Sequence, residues 1–263
     1  MYIVKVGGGA AVNLAGVADD LASVDAPCVV VLGANAVRDD LAARLGASTR
    51  TLTSVSGYTS VFSDETALDV IMMAYSGLRS KRFVELCQRR GVNAVGLSGI
   101  DGRLVQGERN RGIRVREGGK TLIRRDFSGK PRSANAGLLR TLLDGGYTPV
   151  LTIPITDEKG CAINSENDDI VNVLQAALGA ERIVQLIEAP GFLDDPADPG
   201  SVVAAMSKIE LERREAQVEG RMKRKMLALR RLFETGAAEV IIGDGRVEHP
   251  IRAALSGAGT VIR

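Results

Sequence analysis

Tryptophan is absent from this chain, and Phe, Tyr and Trp together make up only 3% of it. The core must therefore rest on Val, Leu, Ile and Ala, and an aromatic platform for stacking single-stranded nucleic acid is disfavoured. There is one histidine, His249, between Glu248 and Pro250 in what reads as a surface loop, so imidazole acid–base chemistry has little material to work with. The three cysteines, Cys28, Cys87 and Cys161, are odd in number and widely spaced. They fit neither a disulfide framework nor a metal site and read as small buried residues of a reduced protein. No apolar run is long enough to span a bilayer and no signal peptide precedes a first strand at Tyr2, so a cytoplasmic location is expected. What is present is an ordinary globular composition. The chain has 263 residues, 45% hydrophobic and 25% charged, enough for one large α/β domain or two lobes.

The net charge of +2 conceals an asymmetry. Residues 103–132 hold ten Lys or Arg against three Asp or Glu, which places +7 there and −5 on the remainder. A block of one sign attracts an acidic partner and speeds its capture. Within it, Arg111–Glu117 and Lys120–Asp126 flank Gly118-Gly119 and alternate in part, which predicts a β-hairpin lined by Arg114, Arg116, Arg124 and Arg125. The hairpin is either a solvated edge or a partner-facing surface. A surface without function usually mixes its signs more evenly, so the strong excess of one sign favours the second.

Elsewhere short β-branched runs (Val29–Leu32, Ala94–Leu97, Pro149–Ile153, Arg182–Ile187, Glu239–Ile242) alternate with helical spacing over Glu65–Ser76, Ser80–Arg90, Gly137–Leu143, Asp168–Leu178 and Lys223–Phe233. That alternation predicts a mainly parallel sheet with helices on both faces. Leu178-Gly179-Ala180 is the expected boundary between two lobes, residues 1–178 and 179–263.

Two glycine turns carry the first chemical signal: Lys5-Val6-Gly7-Gly8-Gly9 and Leu32-Gly33-Ala34-Asn35, each between a β-branched run and a helical segment. Such turns are either ordinary βα connections or places where an anion approaches backbone N–H groups at a helix N-terminus. Lys5 beside the first favours a phosphate. Asp168 falls in the first turn of a helix, where a carboxylate can act simply as a cap. Gly220-Arg221-Met222-Lys223-Arg224-Lys225 places cations at a helix start, against the dipole, which fits either a nearby anion or an exposed basic face. A carboxylate acceptor needs no base at neutral pH, so phosphoryl transfer to it can rest on positioning and charge neutralisation.

Taken in order, Lys5-x-Gly7-Gly8, the turn at 33–35, Gly96-Leu97-Ser98-Gly99-Ile100-Asp101-Gly102, Asn164…Asp168, Glu188…Leu193, Gly220-x-Met222-x-x-Lys225 and Gly259-Thr260 resemble the amino acid kinase family, in its acetylglutamate kinase branch, nearly end to end. The resemblance implies a three-layer α/β/α fold of the carbamate kinase-like kind: an open, mainly parallel sheet shared by two lobes. The first lobe would hold the phosphoryl acceptor and the second ATP, accompanied by Mg²⁺ held largely by its phosphates, without a dedicated protein metal site. It implies that Lys5 and Lys225 stabilise the transferring phosphoryl group, that Gly8 N–H binds its oxygens, and that Asp168 holds the two lysines. Ala34, Asn35 and Asn164 would contact the acceptor. Gly7, Gly33, Glu188, Gly191, Phe192, Leu193 and Asp244 would border the nucleotide. A homodimer would follow, and a chain starting at its first strand would lack the extension that builds the arginine-inhibited hexamer of some relatives.

Two departures refine this. The branch usually shows His-Gly-Gly-Gly where this chain has Leu32-Gly33-Ala34-Asn35, and an arginine that clamps the acceptor's α-carboxylate where this chain has Gly57-Tyr58-Thr59-Ser60-Val61-Phe62-Ser63-Asp64. Val61, or by the alternative count Ser60, takes the clamp position. Loss of a bidentate arginine weakens a small free acid by on the order of 1.5–3 kcal/mol. Residues 57–60 and the basic 103–132 block resemble the carrier-protein-dependent kinases of bacterial lysine biosynthesis. These phosphorylate the side-chain carboxylate of 2-aminoadipate tethered through its amino group to a small acidic amino-group carrier protein. The alternatives are an acetylglutamate kinase of arginine synthesis and, in another class, a non-catalytic nucleotide-binding regulator. A nucleic-acid-binding module lacks aromatic interleaving and any recognised motif, and a membrane partner is not expected.

Overall fold

The computed structural model describes residues 1–263 except 48–49, 56–58, 118–119, 196, 219 and 238, and of residues 59–60, 117 and 221–224 the backbone alone. Eight strands form one sheet in the order Ala205–Met206, Thr260–Ile262, Glu239–Asp244, Arg182–Ile187, Tyr2–Val6, Cys28–Leu32, Thr148–Thr152, Ala94–Ser98. All neighbouring pairs are parallel except Thr260–Ile262 against Glu239–Asp244.

The continuous apolar runs follow from burial on both faces. Cys28-Val29-Val30-Val31-Leu32 is buried throughout, and its alternate residues enter different cores. Ile3, Val29, Val31, Ile183 and Val240 pack under Ile170, Leu174, Met226 and Leu229 of helices Asn167–Leu178 and Gly220–Glu234. Val4, Val30, Val184 and Ile241 pack under Val17, Phe83 and Ile251 of helices Leu14–Leu21, Ser80–Gln88 and Pro250–Leu255. The result is the expected three-layer architecture. The strand period of two also sets Lys5 on the face of Ile3, beneath helix Asn167–Leu178.

Two segments differ from the sequence expectation. Glu65–Ser76 and Ser80–Arg90 are one continuous rod: α-helix Glu65–Ile71, a π-helical stretch Met72–Arg79, then α-helix Ser80–Gln88. The wider π turns rotate Tyr75, Ser76 and Arg79 relative to an α-helical reading. Cys161 is exposed, because it closes the turn Asp157–Cys161, where its N–H donates to Asp157 Oδ1 at 2.8 Å. Cys28 and Cys87 are buried, and burial pushes their thiols up to about 11 and about 12.

The basic block leaves the main sheet, as its broken alternation suggested. Val105–Arg109 and Gly129–Ala134 join Ile155–Thr156 and Ala162–Ile163 in a small second sheet. Between them Ile113–Glu117 pairs antiparallel with Lys120–Arg124. The expected Gly118-Gly119 turn lies outside the described residues. No helix among the described residues is long and apolar enough to cross a membrane.

Candidate active site

The C-terminal ends of the parallel strands converge on the two glycine turns, the usual place for a ligand in such a sheet. Gly33 N–H donates to Val6 O at 2.9 Å, and Ala36 N–H donates to Gly8 O at 2.9 Å, so the turns are interlocked. A Cβ on Gly8 would stand 2.5 Å from Asn35 N and 2.7 Å from Ala34 N; one on Gly33 would stand 2.6 Å from Gly8 N. The turns approach each other more closely than any side chain allows, and backbone nitrogens face the contact. This is the construction of an anion cradle.

Beside it, Lys5 Nζ lies 2.9 Å from Asp168 Oδ1, with Lys5 only 8% exposed. Burial pushes the Asp168 carboxyl up, but its ion pair with Lys5 and the charge of Lys225 outweigh that and hold it below the ordinary 3.8. Lys225 itself is exposed on helix Gly220–Glu234. Asp168 thus joins the two lysines electrostatically, although they come from opposite ends of the chain. The helix that carries it, Asn167–Leu178, receives no side-chain cap from Glu166, and the buried Ser165 Oγ and Asn167 Oδ1 beside it have no hydrogen-bond partner. Uncapped N–H groups and unused polar atoms at one helix start leave room for a polar ligand.

A cavity of about 320 Å³ flanks this helix start. Its lining includes Val61 and Asn164, the two acceptor residues expected there, with Ser128, Lys130, Asp169 and Arg231. Asn164 is anchored on both sides: its amide donates to Ser63 Oγ at 2.9 Å and its backbone N–H to Phe127 O at 2.7 Å. Below it Asp126, 3% exposed, accepts from Ser63 N–H at 3.1 Å and from Ser128 Oγ at 2.6 Å, which ties residue 63 to the base of the basic hairpin. Asn35 does not line this cavity; its Oδ1 accepts from Tyr75 Oη at 2.5 Å, and burial pushes that phenol up to about 12.

The residues expected around the nucleotide lie along the adjoining strand ends. Glu188, directly after strand Arg182–Ile187, accepts from Ala11 N–H at 2.6 Å and closes over Gly9, where a Cβ would overlap its carboxylate. Gly191 packs so close that a Cβ would meet Thr260 Oγ1 at 2.9 Å, and Phe192 N–H donates to that same oxygen at 2.8 Å. Leu193 pairs with Val202. Asp244 is gripped by Arg246 through Nε at 2.8 Å and Nη2 at 2.7 Å, and these hydrogen bonds lower its pKa. His249 serves structure: its Nδ1 lies 3.0 Å from the fully buried Asp20, which also accepts from Ile251 N–H at 2.8 Å at the start of helix Pro250–Leu255. Among the described residues no cluster of three or more His, Cys, Asp or Glu could hold a metal ion.

The hairpin register sorts the four arginines. Arg114 pairs with Ile123 and Arg116 with Thr121 on one face, while Val115 pairs with Leu122 and Ile113 with Arg124 on the other. Arg125, one residue beyond the ladder, falls on the Arg114 face. Val115 is buried and Ile123 is 64% exposed among the arginines. Val55 N–H donates to Arg114 O at 2.8 Å and Ser54 bridges Val115, so the basic hairpin is fastened to hairpin Thr51–Thr53/Thr59–Val61, which delivers Val61 to the cavity. Gly57 and Tyr58 lie outside the described residues.

Sequence reasoning missed Ser63, Tyr75, Ser165, Arg79 and Lys130. Arg79 Nη2 approaches Gly9 O at 3.5 Å, and burial lowers its pKa while Glu188 opposes this. Ser63, Ser165 and Lys130 lie inside stretches that the sequence singles out, but nothing in the spacing marks them individually. Each is delivered by a long-range pairing or by the π-helical stretch.

Residues 1–244 match the model of the amino acid kinase family. The chain is 40% identical to the [LysW]-aminoadipate kinase of Thermus thermophilus, covering 100% of both chains. It is 31% identical to the acetylglutamate kinase of Methanopyrus kandleri, again over 100% of both. Among solved structures, N-acetylglutamate synthase from Neisseria gonorrhoeae superposes with a TM-score of 0.78 at 21% identity, over 99% of this chain and 58% of that one.

Proposed function

The chain belongs to the amino acid kinase family, and from that premise we propose that it is an ATP-dependent kinase that phosphorylates the side-chain carboxylate of 2-aminoadipate carried by a small acidic carrier protein. A carboxylate oxygen attacks the γ-phosphorus, the bond to the β–γ bridging oxygen breaks, and ADP leaves an acyl phosphate behind. The acceptor is already ionised at neutral pH, so no base is required. Lys5 and Lys225 offset the charge of the transferring group, the Gly8 and Gly33–Asn35 backbone binds its oxygens, and Asp168 holds both lysines oriented. The interlocked turns suit a phosphate-bearing nucleotide at this edge. Glu188, Gly191–Leu193 and Asp244 border its remainder. Mg²⁺ held by the triphosphate would lower the charge that Lys5 and Lys225 must meet.

In this reading residues 1–178 form the acceptor lobe and residues 179–263 the ATP lobe, divided at Gly179, whose φ of 63° ends helix Asn167–Leu178. The enzyme works as a cytoplasmic homodimer. One observation carries the choice of a tethered acceptor. The basic hairpin is hydrogen-bonded to the hairpin that brings Val61 to the acceptor cavity, so a carrier docked on Arg114, Arg116 and Arg125 is coupled to a segment that lines that cavity. Arg124, on the opposite face, contributes field rather than contact.

The test is an acyl-phosphate assay with free acetylglutamate, free acetylaminoadipate and carrier-bound aminoadipate. The carrier-bound substrate should lead in kcat/KM by on the order of 100-fold or more, because docking supplies affinity that the free acids lack. Equal values for acetylglutamate and carrier-bound aminoadipate would overturn the reading in favour of acetylglutamate kinase.

A further inference from the structure

The cavity beside Asp168 contains donors that the protein itself does not use. Ser165 is 9% exposed, and its Oγ has no hydrogen-bond partner. Lys130, on strand Gly129–Ala134, also lines the cavity, and its side chain makes no ion pair or hydrogen bond among the described residues. The other cation of the lining, Arg231, is 3.7 Å from Asp169 and is offset by it. The lining's second carboxylate, Glu166, also has a partner. Lys130 and Ser165 line the same cavity on adjacent segments: Ser128 bridges Asn164 in parallel, and Gly129 N–H donates to Asn164 O at 2.9 Å, so residues 128–130 run alongside 164–166, with Gly129 level with Ser165 and Lys130 one step further along.

The pair consists of an ammonium that can only donate and a hydroxyl free to donate. Two donors, one cationic, at the start of an uncapped helix recognise an anion that accepts from both, and a carboxylate has that character. Resting on the reading above, the substrate supplies one. Aminoadipate joined to its carrier through nitrogen keeps two carboxylates, and the reacting one must lie toward Lys5, Gly8 and Asp168. We propose that Lys130 and Ser165 bind the other, the α-carboxylate that is not phosphorylated, and that Lys130 selects acceptors bearing it.

The experiment compares carrier-bound aminoadipate with carrier-bound 5-aminopentanoate, the same chain without the α-carboxylate, in wild type, Lys130→Met, Lys130→Arg and Ser165→Ala. Lys130→Met should lower kcat/KM for aminoadipate on the order of 10- to 100-fold, the worth of a charge-assisted contact, and leave 5-aminopentanoate and the KM for ATP unchanged. Lys130→Arg should restore most of the loss. Ser165→Ala should show a smaller loss with the same selectivity. Equal losses on both substrates would place Lys130 in carrier docking or folding, and no loss on either would remove it from the site; both results overturn the proposal. If wild type instead prefers free acids, the carrier reading fails on its own. Lys130 is then judged by the same criterion on acetylglutamate against N-acetyl-4-aminobutanoate.

Discussion

The proposed phosphate side and the proposed acceptor side of this site are built by opposite means. The first is made of strand ends: Lys5 from the sheet interior, two interlocked glycine turns, and Asp168 fixed by an ion pair of 2.9 Å. Its parts are buried, and their positions follow from the parallel register. The second draws on short strands outside the main sheet: a cavity lined by Val61, Ser128, Lys130 and Asn164 and braced by Asp126, with the exposed basic hairpin fastened to the strand pair that supplies Val61. Rigid burial suits a group whose charge must be met in one geometry. Long exposed cations suit a partner that must be captured from solution and released. If that contrast is functional, damage to the first side should stop chemistry and damage to the second should change only which acceptor arrives.

The sharpest break of that contrast is at the lysines. Lys5→Ala and Lys225→Ala should each lower kcat by about 10³-fold or more, with little change in the KM for the acceptor. Near-normal turnover in both would remove the charge-neutralisation account altogether. Next in size is Gly8→Ala. Its methyl would stand 2.5 Å from Asn35 N, and the atoms it meets are backbone that cannot swing away. A loss of about 100-fold in kcat is expected, with a destabilisation of about 1–3 kcal/mol in denaturant unfolding.

The third break is on the acceptor side. Reversal of Arg114, Arg116 and Arg125 to Glu should abolish carrier binding, measured by titration, and leave ATP binding and turnover of a free acid intact. Arg124→Glu alone should cost much less, because the ladder pairs it with Ile113 on the opposite face. Raising salt should weaken carrier association in the wild type and leave ATP binding nearly unaffected. Should the triple reversal bind normally, the hairpin is a solvated edge and the comparison loses its second half.

How much of each side was legible in sequence follows the same division. Lys5 was legible because a lysine in a β-branched strand, two residues before glycines, has few structural reasons to be there. The first turn of helix Asn167–Leu178 was legible from helical spacing, so Asp168 stood in the right place. The acceptor side was not, because its contacts join residues far apart. Asn164 reaches Ser63 across 101 positions, and Lys130 comes to the same cavity as Ser165 only because Ser128 bridges Asn164. The hairpin itself was visible in its alternation, but the arginine faces depend on register, and a slip of one residue would exchange them. Tyr75 was hidden by the π-helical stretch, since a helix with wider turns leaves no mark in the apolar spacing. Cys161 was misjudged from composition, since a thiol at the end of an exposed turn has no core to join.

The smallest expected effect concerns the one ionisable group that both sides share. Asp168 touches Lys5 on the phosphate side and begins the helix that walls the acceptor cavity. Its carboxyl is held below 3.8 because Lys5 and Lys225 outweigh the burial that opposes them. A carboxyl lowered in the folded state stabilises the fold above its unfolded pKa, and that contribution fades as pH falls from there through the folded value. The difference in Tm between wild type and Asp168→Asn should therefore stay constant from neutral pH down to about 5 and shrink only below about 4. The kcat profile should likewise show no titration of Asp168 between pH 6 and 9. A wild type that is less stable than Asp168→Asn at neutral pH and gains on it as pH falls through about 6 would mean that burial, not the lysines, sets this carboxyl. The ion pair would then be a packing contact rather than the joint between the two halves.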